Sequence, residues 1–91
     1  MEIDEYQKHA AQTINDHNSD FFIRKLSTEV IEVAQELCWI QGCGEKTFVR
    51  QELGDCLRCI CQIATLHGID MSTILKKNLE KMDARAKNNS L

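Results

Sequence analysis

The sequence predicts an all-α protein, a four-helix bundle in a single domain over residues 1–91. Proline is absent and glycine occurs only four times, which disfavours a β architecture with many turns. Apolar residues recur at helical spacing, and the breaks between the helical segments are short, as is typical of antiparallel neighbours in a bundle. A chain this small has a thin core.

Composition and charge exclude several function classes. The net charge is −3, with 14 acidic and 11 basic residues, whereas binders of nucleic acid polymers are normally basic. The start of the chain is acidic and no window approaches the length of a membrane span, so we expect a cytoplasmic protein. Five cysteines, an odd number, favour free thiols in a reducing compartment.

The first helix is predicted over residues 3–14, because apolar side chains recur on one face. Residues 15–20 are polar and favour a turn, and Ser19 or Asp20 is expected to cap the next helix. The apolar face of the first helix consists of Ile3, Tyr6, Ala10 and Ile14.

The second helix is predicted over residues 21–41, ended by Gly42 and Gly44. On a helical wheel its apolar side chains fall within an arc of about 80°, which predicts the face that packs in the core. That face consists of Ile23, Leu26, Val30, Ala34 and Leu37.

The third and fourth helices are predicted over residues 47–67 and 71–87. Gly68 ends the third helix, and Asp70 is the expected N-cap of the fourth. The apolar stripe of the third helix is Leu53, Leu57, Ile60 and Ala64, widened by Cys56, Cys59, Ile63 and Leu66. That of the fourth is Met71, Leu75, Leu79 and Met82.

Acidic side chains are concentrated on one face of the second helix. Lys25, Glu29, Glu32 and Glu36 fall within about 60° of arc, and Trp39 lies about 20° beyond. One interpretation is a solvated acidic face, but a tryptophan there needs a surface to lie against.

The third helix carries Glu52 within its apolar arc and Asp55 at the edge of that arc. A carboxylate among apolar side chains is costly unless it is paired or bound to a metal. If the two helices pack antiparallel, four carboxylates converge into an all-oxygen cluster, which suits Mg²⁺ or Mn²⁺. No histidine stands at the spacing of di-iron sites. The four carboxylates are Glu29, Glu32, Glu52 and Asp55.

The fourth helix offers polar groups of a kind that binds phosphate. Asn78, Lys81 and Arg85 fall within about 60° of arc. Beside a bound metal, such groups would form a receptor for a polyphosphate, because the metal inverts the local field. The alternative is a solvated helix end, where basic residues complement the dipole.

These motifs resemble those of the MazG-like all-α nucleoside triphosphate pyrophosphohydrolases, with dCTP-pyrophosphatase-like members closest. The second helix contains Glu29-Val-Ile-Glu32, and the third contains Arg50-Gln-Glu52-Leu-Gly-Asp55. This order is similar to the ExxE…ExxD signature of the family. Gly68-Ile-Asp70 followed by Asn78-x-x-Lys81-x-x-x-Arg85 is similar to its closing helix.

The resemblance implies hydrolysis of a (deoxy)nucleoside triphosphate to the monophosphate and pyrophosphate, and assembly as a homodimer or dimer of dimers. It implies that the four carboxylates hold Mg²⁺ and act in catalysis. Lys81 and Arg85, with Asn78 and Lys25, would contact phosphates. Trp39 would contact the base. Ile31 replaces the glycine of the family's first motif, which leaves the base preference open.

Three alternatives stay open. The chain could be a non-catalytic helical interaction module that buries its wide apolar arc against a partner protein. Within the enzyme class, phosphoribosyl-ATP pyrophosphohydrolases and dimeric dUTPases share the architecture. The spacing of Cys38, Cys43, Cys56 and Cys59 superficially resembles a zinc site, although mid-helix cysteines favour core packing.

Overall fold

The computed structural model describes residues 1–39 and 47–88, except for the side chain of Trp39. Within these ranges the regular structure is four α-helices and no strand, as predicted. None of the described helices is long and apolar enough to span a membrane. The helices are α1 (Ile3–Ala11), α2 (Ser19–Trp39), α3 (Thr47–Leu66) and α4 (Met71–Lys87).

The pair formed by α2 and α3 is the main packing unit of the chain. The two helices run antiparallel, since Glu29 of α2 lies beside Glu52 of α3 and Phe22 shares a cavity with Gln62. α1 packs on α3, and α4 packs on α1. The result is flatter than a closed four-helix bundle, because α4 packs on α1 rather than across the α2–α3 pair.

The boundary between α1 and α2 differs from its predicted position. α1 ends at Ala11, short of the predicted residue 14. α2 begins at Ser19, because the Phe21 N–H donates a hydrogen bond to Asn18 Oδ1 at 3.0 Å. Asn18 is therefore the N-cap, and the prediction of Ser19 or Asp20 in that role was wrong.

A glycine separates α3 from α4, as predicted. Gly68 has a φ of 66°, in the left-handed region that glycine adopts without a steric penalty. Its N–H donates to the Thr65 carbonyl at 3.1 Å, and the Ile69 N–H donates to the Ala64 carbonyl at 2.9 Å. This pair of bonds is the Schellman motif, which ends a helix. The predicted stop at Gly42 and Gly44 lies outside the described residues.

The N-terminus of α4 is capped by side chains of α1. The Met71 N–H donates to Gln7 Oε1 at 2.9 Å, and the Ser72 N–H donates to Asp4 Oδ1 at 2.9 Å. Asp70 occupies the N-cap position as predicted, but its side chain makes no capping bond to the described residues. These two contacts fix where α4 starts relative to α1.

The core is small and lies where α1, α3 and the first turn of α4 meet. This confirms Ile3, Tyr6 and Ala10 of the predicted apolar face, whereas Ile14 lies beyond the end of α1. It also confirms the predicted burial of Ala64 and Met71. α2 is anchored separately by Phe22, which is 2% exposed. The cluster consists of Ala10, Cys61, Ala64 and Met71, with Ile3, Tyr6 and Ile74 packed against it.

Most of the predicted core faces of the longer helices are exposed within one chain. α2 turns its charged face toward α3, so most of its apolar stripe points outward, contrary to the prediction, and only Leu26 of that stripe is half-buried. Of the stripes of α3 and α4, only Cys59, Ala64 and Met71 are buried in the described part of the chain. The exposed apolar residues are Ile23, Val30 and Leu37 of α2, Leu53, Leu57 and Ile60 of α3, and Leu75, Leu79 and Met82 of α4.

Candidate metal centre

Three carboxylates from two helices converge between α2 and α3. One ligand oxygen from each of Glu29, Glu52 and Asp55 lies within 4.8 Å of the others, and all three residues are half-buried. Glu52 and Asp55 share a face of α3 because they are three residues apart. The antiparallel packing then places Glu29 opposite them. The predicted convergence of these residues is therefore present in the structure.

The cluster is under electrostatic strain. The pKa of Glu52 is raised to about 8. The largest cause is a hydrogen bond between its carboxyl and that of Glu29, and the second is a hydrogen bond to Glu32. Burial and the negative charges of these two neighbours raise the pKa further. The second hydrogen bond places Glu32, the fourth predicted carboxylate, beside Glu52. Among the described residues, the Oε2 atoms of Glu29 and Glu52 are buried without a hydrogen-bond partner.

This donor set fits a hard divalent cation. Carboxylate oxygens are the ligands preferred by Mg²⁺, Mn²⁺ and Ca²⁺, and sulfur or imidazole would be needed for softer metals. A cation would also satisfy the two buried oxygens that otherwise lack a donor. Within residues 1–39 and 47–88, no other group of three acidic, histidine or cysteine side chains is close enough to bind a metal.

The cysteines of the described residues do not form a zinc site. Cys59 and Cys61 are fully buried, Cys38 is exposed, and the four described thiols are free. Burial raises the pKa of Cys56, Cys59 and Cys61, which keeps them as thiols rather than as thiolate ligands. Core packing is therefore confirmed for Cys59, is partial for Cys56 and was wrong for Cys38, while Cys43 lies outside the described residues.

Two cationic side chains flank the carboxylates at one end. Lys25, a predicted phosphate ligand, lies one turn before Glu29 on α2 and is half-buried. Arg58 Nη2 lies 3.5 Å from Asp55 Oδ1, an ion pair within α3. Burial raises the pKa of Cys59, and both positive charges act against that increase. Arg58 was not among the residues predicted from the sequence, although its position three residues after Asp55 indicates such a pair.

The polar residues of α4 are not brought to the carboxylates within one chain. Asn78 and Lys81 line an open cavity of about 370 Å³ together with Ile69 and Ile74. Arg85 lies in the last turn of α4 and is exposed. Because α4 packs on α1, these side chains lie away from the α2–α3 pair.

Two further residues lie at the ends of α2 and α3. Trp39 is the last residue of α2, and its side chain lies outside the described residues, so its contact with a base stays a prediction. His67, which follows the last residue of α3, is exposed, and its Nε2 lies 2.7 Å from Ser19 Oγ. This contact ties the end of α3 to the start of α2.

Comparison with known families agrees with this arrangement. The family model described as the MazG nucleotide pyrophosphohydrolase domain matches residues 18–90. No curated protein and no solved structure matches the chain significantly. The matched range contains α2, α3 and α4, and with them both acidic pairs. The chain therefore belongs to the MazG nucleotide pyrophosphohydrolase family.

Proposed function

We propose that the protein is a Mg²⁺-dependent nucleoside triphosphate pyrophosphohydrolase. It would cleave a (deoxy)nucleoside triphosphate, with dCTP-like or non-canonical deoxynucleotides favoured, to the monophosphate and pyrophosphate. The observation that carries this proposal is the cluster of carboxylates between α2 and α3, two of whose oxygens are buried without a donor among the described residues. MazG domains act in general as divalent-metal-dependent pyrophosphohydrolases.

Some carboxylates would bind the cation, and another would accept a proton from water. Glu29, Glu52 and Asp55 would hold the cation, with Glu32 beside Glu52 as the fourth ligand. When bound there, Mg²⁺ (or Mn²⁺) would supply positive charge against the phosphates and make water easier to deprotonate. A carboxylate that is not fully engaged by the cation, Glu32 or Glu36, would orient the attacking water and accept its proton.

The phosphates of the substrate would be held by cations at the edge of this cluster. Lys25 stands one turn from Glu29 in the same chain. Asn78, Lys81 and Arg85 lie on α4, away from the cluster, and a second copy of the chain would have to bring them to it. The exposed apolar side chains of α2, α3 and α4 support such an assembly, because water would otherwise cover a large apolar area. We therefore propose a homodimer or a dimer of dimers.

The same exposed apolar side chains favour one competing function, a non-catalytic helical module that docks on another protein. A docking module of this kind would not require the carboxylate cluster. It predicts that Mg²⁺ neither stabilises the protein nor supports pyrophosphate release from any nucleotide.

A substrate screen separates these functions. Pyrophosphate release would be measured for common and damaged nucleoside triphosphates, and for phosphoribosyl-ATP, with Mg²⁺ or with a chelator. We expect Mg²⁺-dependent release from at least one deoxynucleotide. Glu52→Gln and Asp55→Asn should abolish it, whereas Glu80→Gln, an exposed acid of α4, should not. Near-normal turnover in either cluster variant would contradict the metal assignment.

A further inference from the structure

The carboxylate cluster has a counterion in the same chain, the guanidinium of Arg58. Arg58 Nη2 lies 3.5 Å from Asp55 Oδ1. Asp55 is in turn one of the three carboxylates that converge between α2 and α3. A dication bound by the cluster would therefore meet a carboxylate whose charge is already partly neutralised by a neighbouring side chain.

The ion pair between Arg58 and Asp55 is weak enough to be exchanged. It joins one nitrogen to one oxygen within a single helix, and the two side chains are 37% and 40% exposed. Ion pairs of this kind contribute little to stability, because water screens the charges and a long side chain loses freedom. A guanidinium binds more strongly when two of its N–H groups face a carboxylate or a phosphate together. An anion that offers such a contact can replace Asp55.

The observed conformation of Arg58 also leaves one of its donors unsatisfied. Arg58 Nε is buried and has no hydrogen-bond partner among the described residues. A buried N–H without an acceptor costs free energy, so pairing with Asp55 satisfies the guanidinium only in part. A different conformation that satisfies this donor would have an energetic advantage.

Arg58 lies on the side of the α2–α3 pair that also carries Lys25. The two residues line one cavity of about 180 Å³ beside the start of α2. Both positive charges act against the raised pKa of the Cys59 thiol. The polar residues of α4, by contrast, lie away from the cluster within one chain, because α4 packs on α1. Lys25 and Arg58 are therefore two cations that a phosphate at the cluster would meet in the same chain.

Binding of a nucleotide with its dication would change the charges around Asp55. Arg58 and the dication compete for Asp55, because the same negative charge attracts both. The phosphates bring further negative charge to the same place, and the guanidinium can donate to them in its fork geometry. A group bound beside Asp55 lies within reach of a side chain that already contacts Asp55.

We propose that Arg58 exchanges Asp55 for a phosphate oxygen of the substrate when the carboxylates bind the dication. In the nucleotide-free protein, Arg58 is the counterion of Asp55 and opposes metal binding. With a nucleotide bound, it holds phosphate and leaves Asp55 to the cation. Metal and nucleotide therefore favour each other's binding. This inference rests on the proposed function and deepens it, since it adds a substrate-binding residue to the same site.

The test is Arg58→Met, which removes the charge and keeps an unbranched side chain. In calorimetry without nucleotide, Mg²⁺ should bind this variant at least as tightly as the wild type, and up to about fivefold more tightly, because the competing cation is gone. In a fixed excess of Mg²⁺, inorganic tripolyphosphate should bind about ten- to a hundredfold more weakly, because a charged hydrogen bond is lost. The kcat/KM for nucleotide hydrolysis should fall by a similar factor.

The opposite signs of these two effects distinguish the exchange from other roles of Arg58. A residue that only orients Asp55 for the metal would, when removed, weaken Mg²⁺ binding about ten- to a hundredfold. Weaker Mg²⁺ binding in Arg58→Met, or unchanged tripolyphosphate binding, would overturn the proposal. Arg58→Lys keeps the charge and loses the fork, so its tripolyphosphate affinity should lie between those of the wild type and Arg58→Met.

A matched control is the same substitution at an exposed arginine of α2. Arg24→Met changes the net charge equally and should leave both affinities within about twofold of the wild type, since surface charges are screened. Circular dichroism should confirm that each variant is folded before titration. If Arg58→Met does not fold, Arg58→Lys carries the test, and wild-type tripolyphosphate affinity in that variant would overturn the proposal.

Tripolyphosphate binding also separates this inference from the proposed function. If no nucleotide releases pyrophosphate but Arg58→Met still weakens tripolyphosphate binding, the proposed function fails and the phosphate contact stands. If turnover occurs, and Lys81→Met weakens tripolyphosphate binding while Arg58→Met does not, α4 of a second copy holds the phosphates and the exchange is wrong.

Discussion

Addition of Mg²⁺ to the metal-free protein should raise its thermal stability strongly. Folding brings Glu29 of α2 against Glu52 and Asp55 of α3, so the site exists only in the folded state. A ligand that binds only the folded state stabilises it by about 2.7 kcal/mol at 100 times its Kd. For a chain of this length that corresponds to a rise in Tm of about 10–20 °C.

The size of this effect should depend on pH. The pKa of Glu52 is about 8 in the folded protein, against an ordinary value of 4.5. Between these values the folded state keeps a proton that the unfolded state releases, so metal-free stability should fall as the pH rises to about 8 and then level off. Mg²⁺ must displace that proton, so its affinity should weaken by up to about tenfold for each pH unit below 8. The Mg²⁺-induced rise in Tm should therefore grow from about pH 6 to about pH 9.

The decisive variant is Glu52→Gln. The amide stands in for the protonated carboxyl, so the metal-free variant should be more stable than the wild type at about pH 8, and it should respond much less to Mg²⁺. Thermal melts followed by circular dichroism, at fixed protein concentration with a chelator or with Mg²⁺, measure both effects. Glu80→Gln on α4 is the control and should behave as the wild type. An equal Mg²⁺-induced shift in Glu52→Gln and the wild type would refute the reasoning.

Three further predictions concern the fold and the assembly. Phe22→Ala should lower the free energy of unfolding by about 3–5 kcal/mol, measured by denaturant titration, since Phe22 is 2% exposed; a loss below about 1 kcal/mol would exclude it from the core. Hydrogen bonds from Ser72 lower the pKa of Asp4 below its ordinary value of 3.8. These bonds therefore stabilise the folded state at a pH above 3.8, and their contribution is lost as the pH falls through the lowered pKa. In Asp4→Asn, the Tm measured in thermal melts below about pH 5 should fall less with decreasing pH than in the wild type. An equal fall in both proteins would contradict the capping of α4 by Asp4. Leu57→Glu, at an exposed apolar position of α3, should reduce the mass measured by light scattering to that of one chain, whereas an unchanged oligomer would place the interface elsewhere.

The elements of this fold could be predicted from the sequence because each depends on local physics. Helical spacing of apolar residues and the left-handed preference of Gly68 determine where α3 ends and α4 begins. The carboxylate cluster was also predictable, since two acids three residues apart share a helix face and a buried carboxylate demands a partner.

The direction in which each face points was decided by the tertiary structure. The apolar stripe of α2 was predicted to be core, yet Val30 is half exposed while Glu29 faces α3. The caps of α4 come from α1. Periodicity records which residues share a face, but not which surface that face meets. That choice depends on the balance of burial and desolvation over the whole assembly, including further copies of the chain.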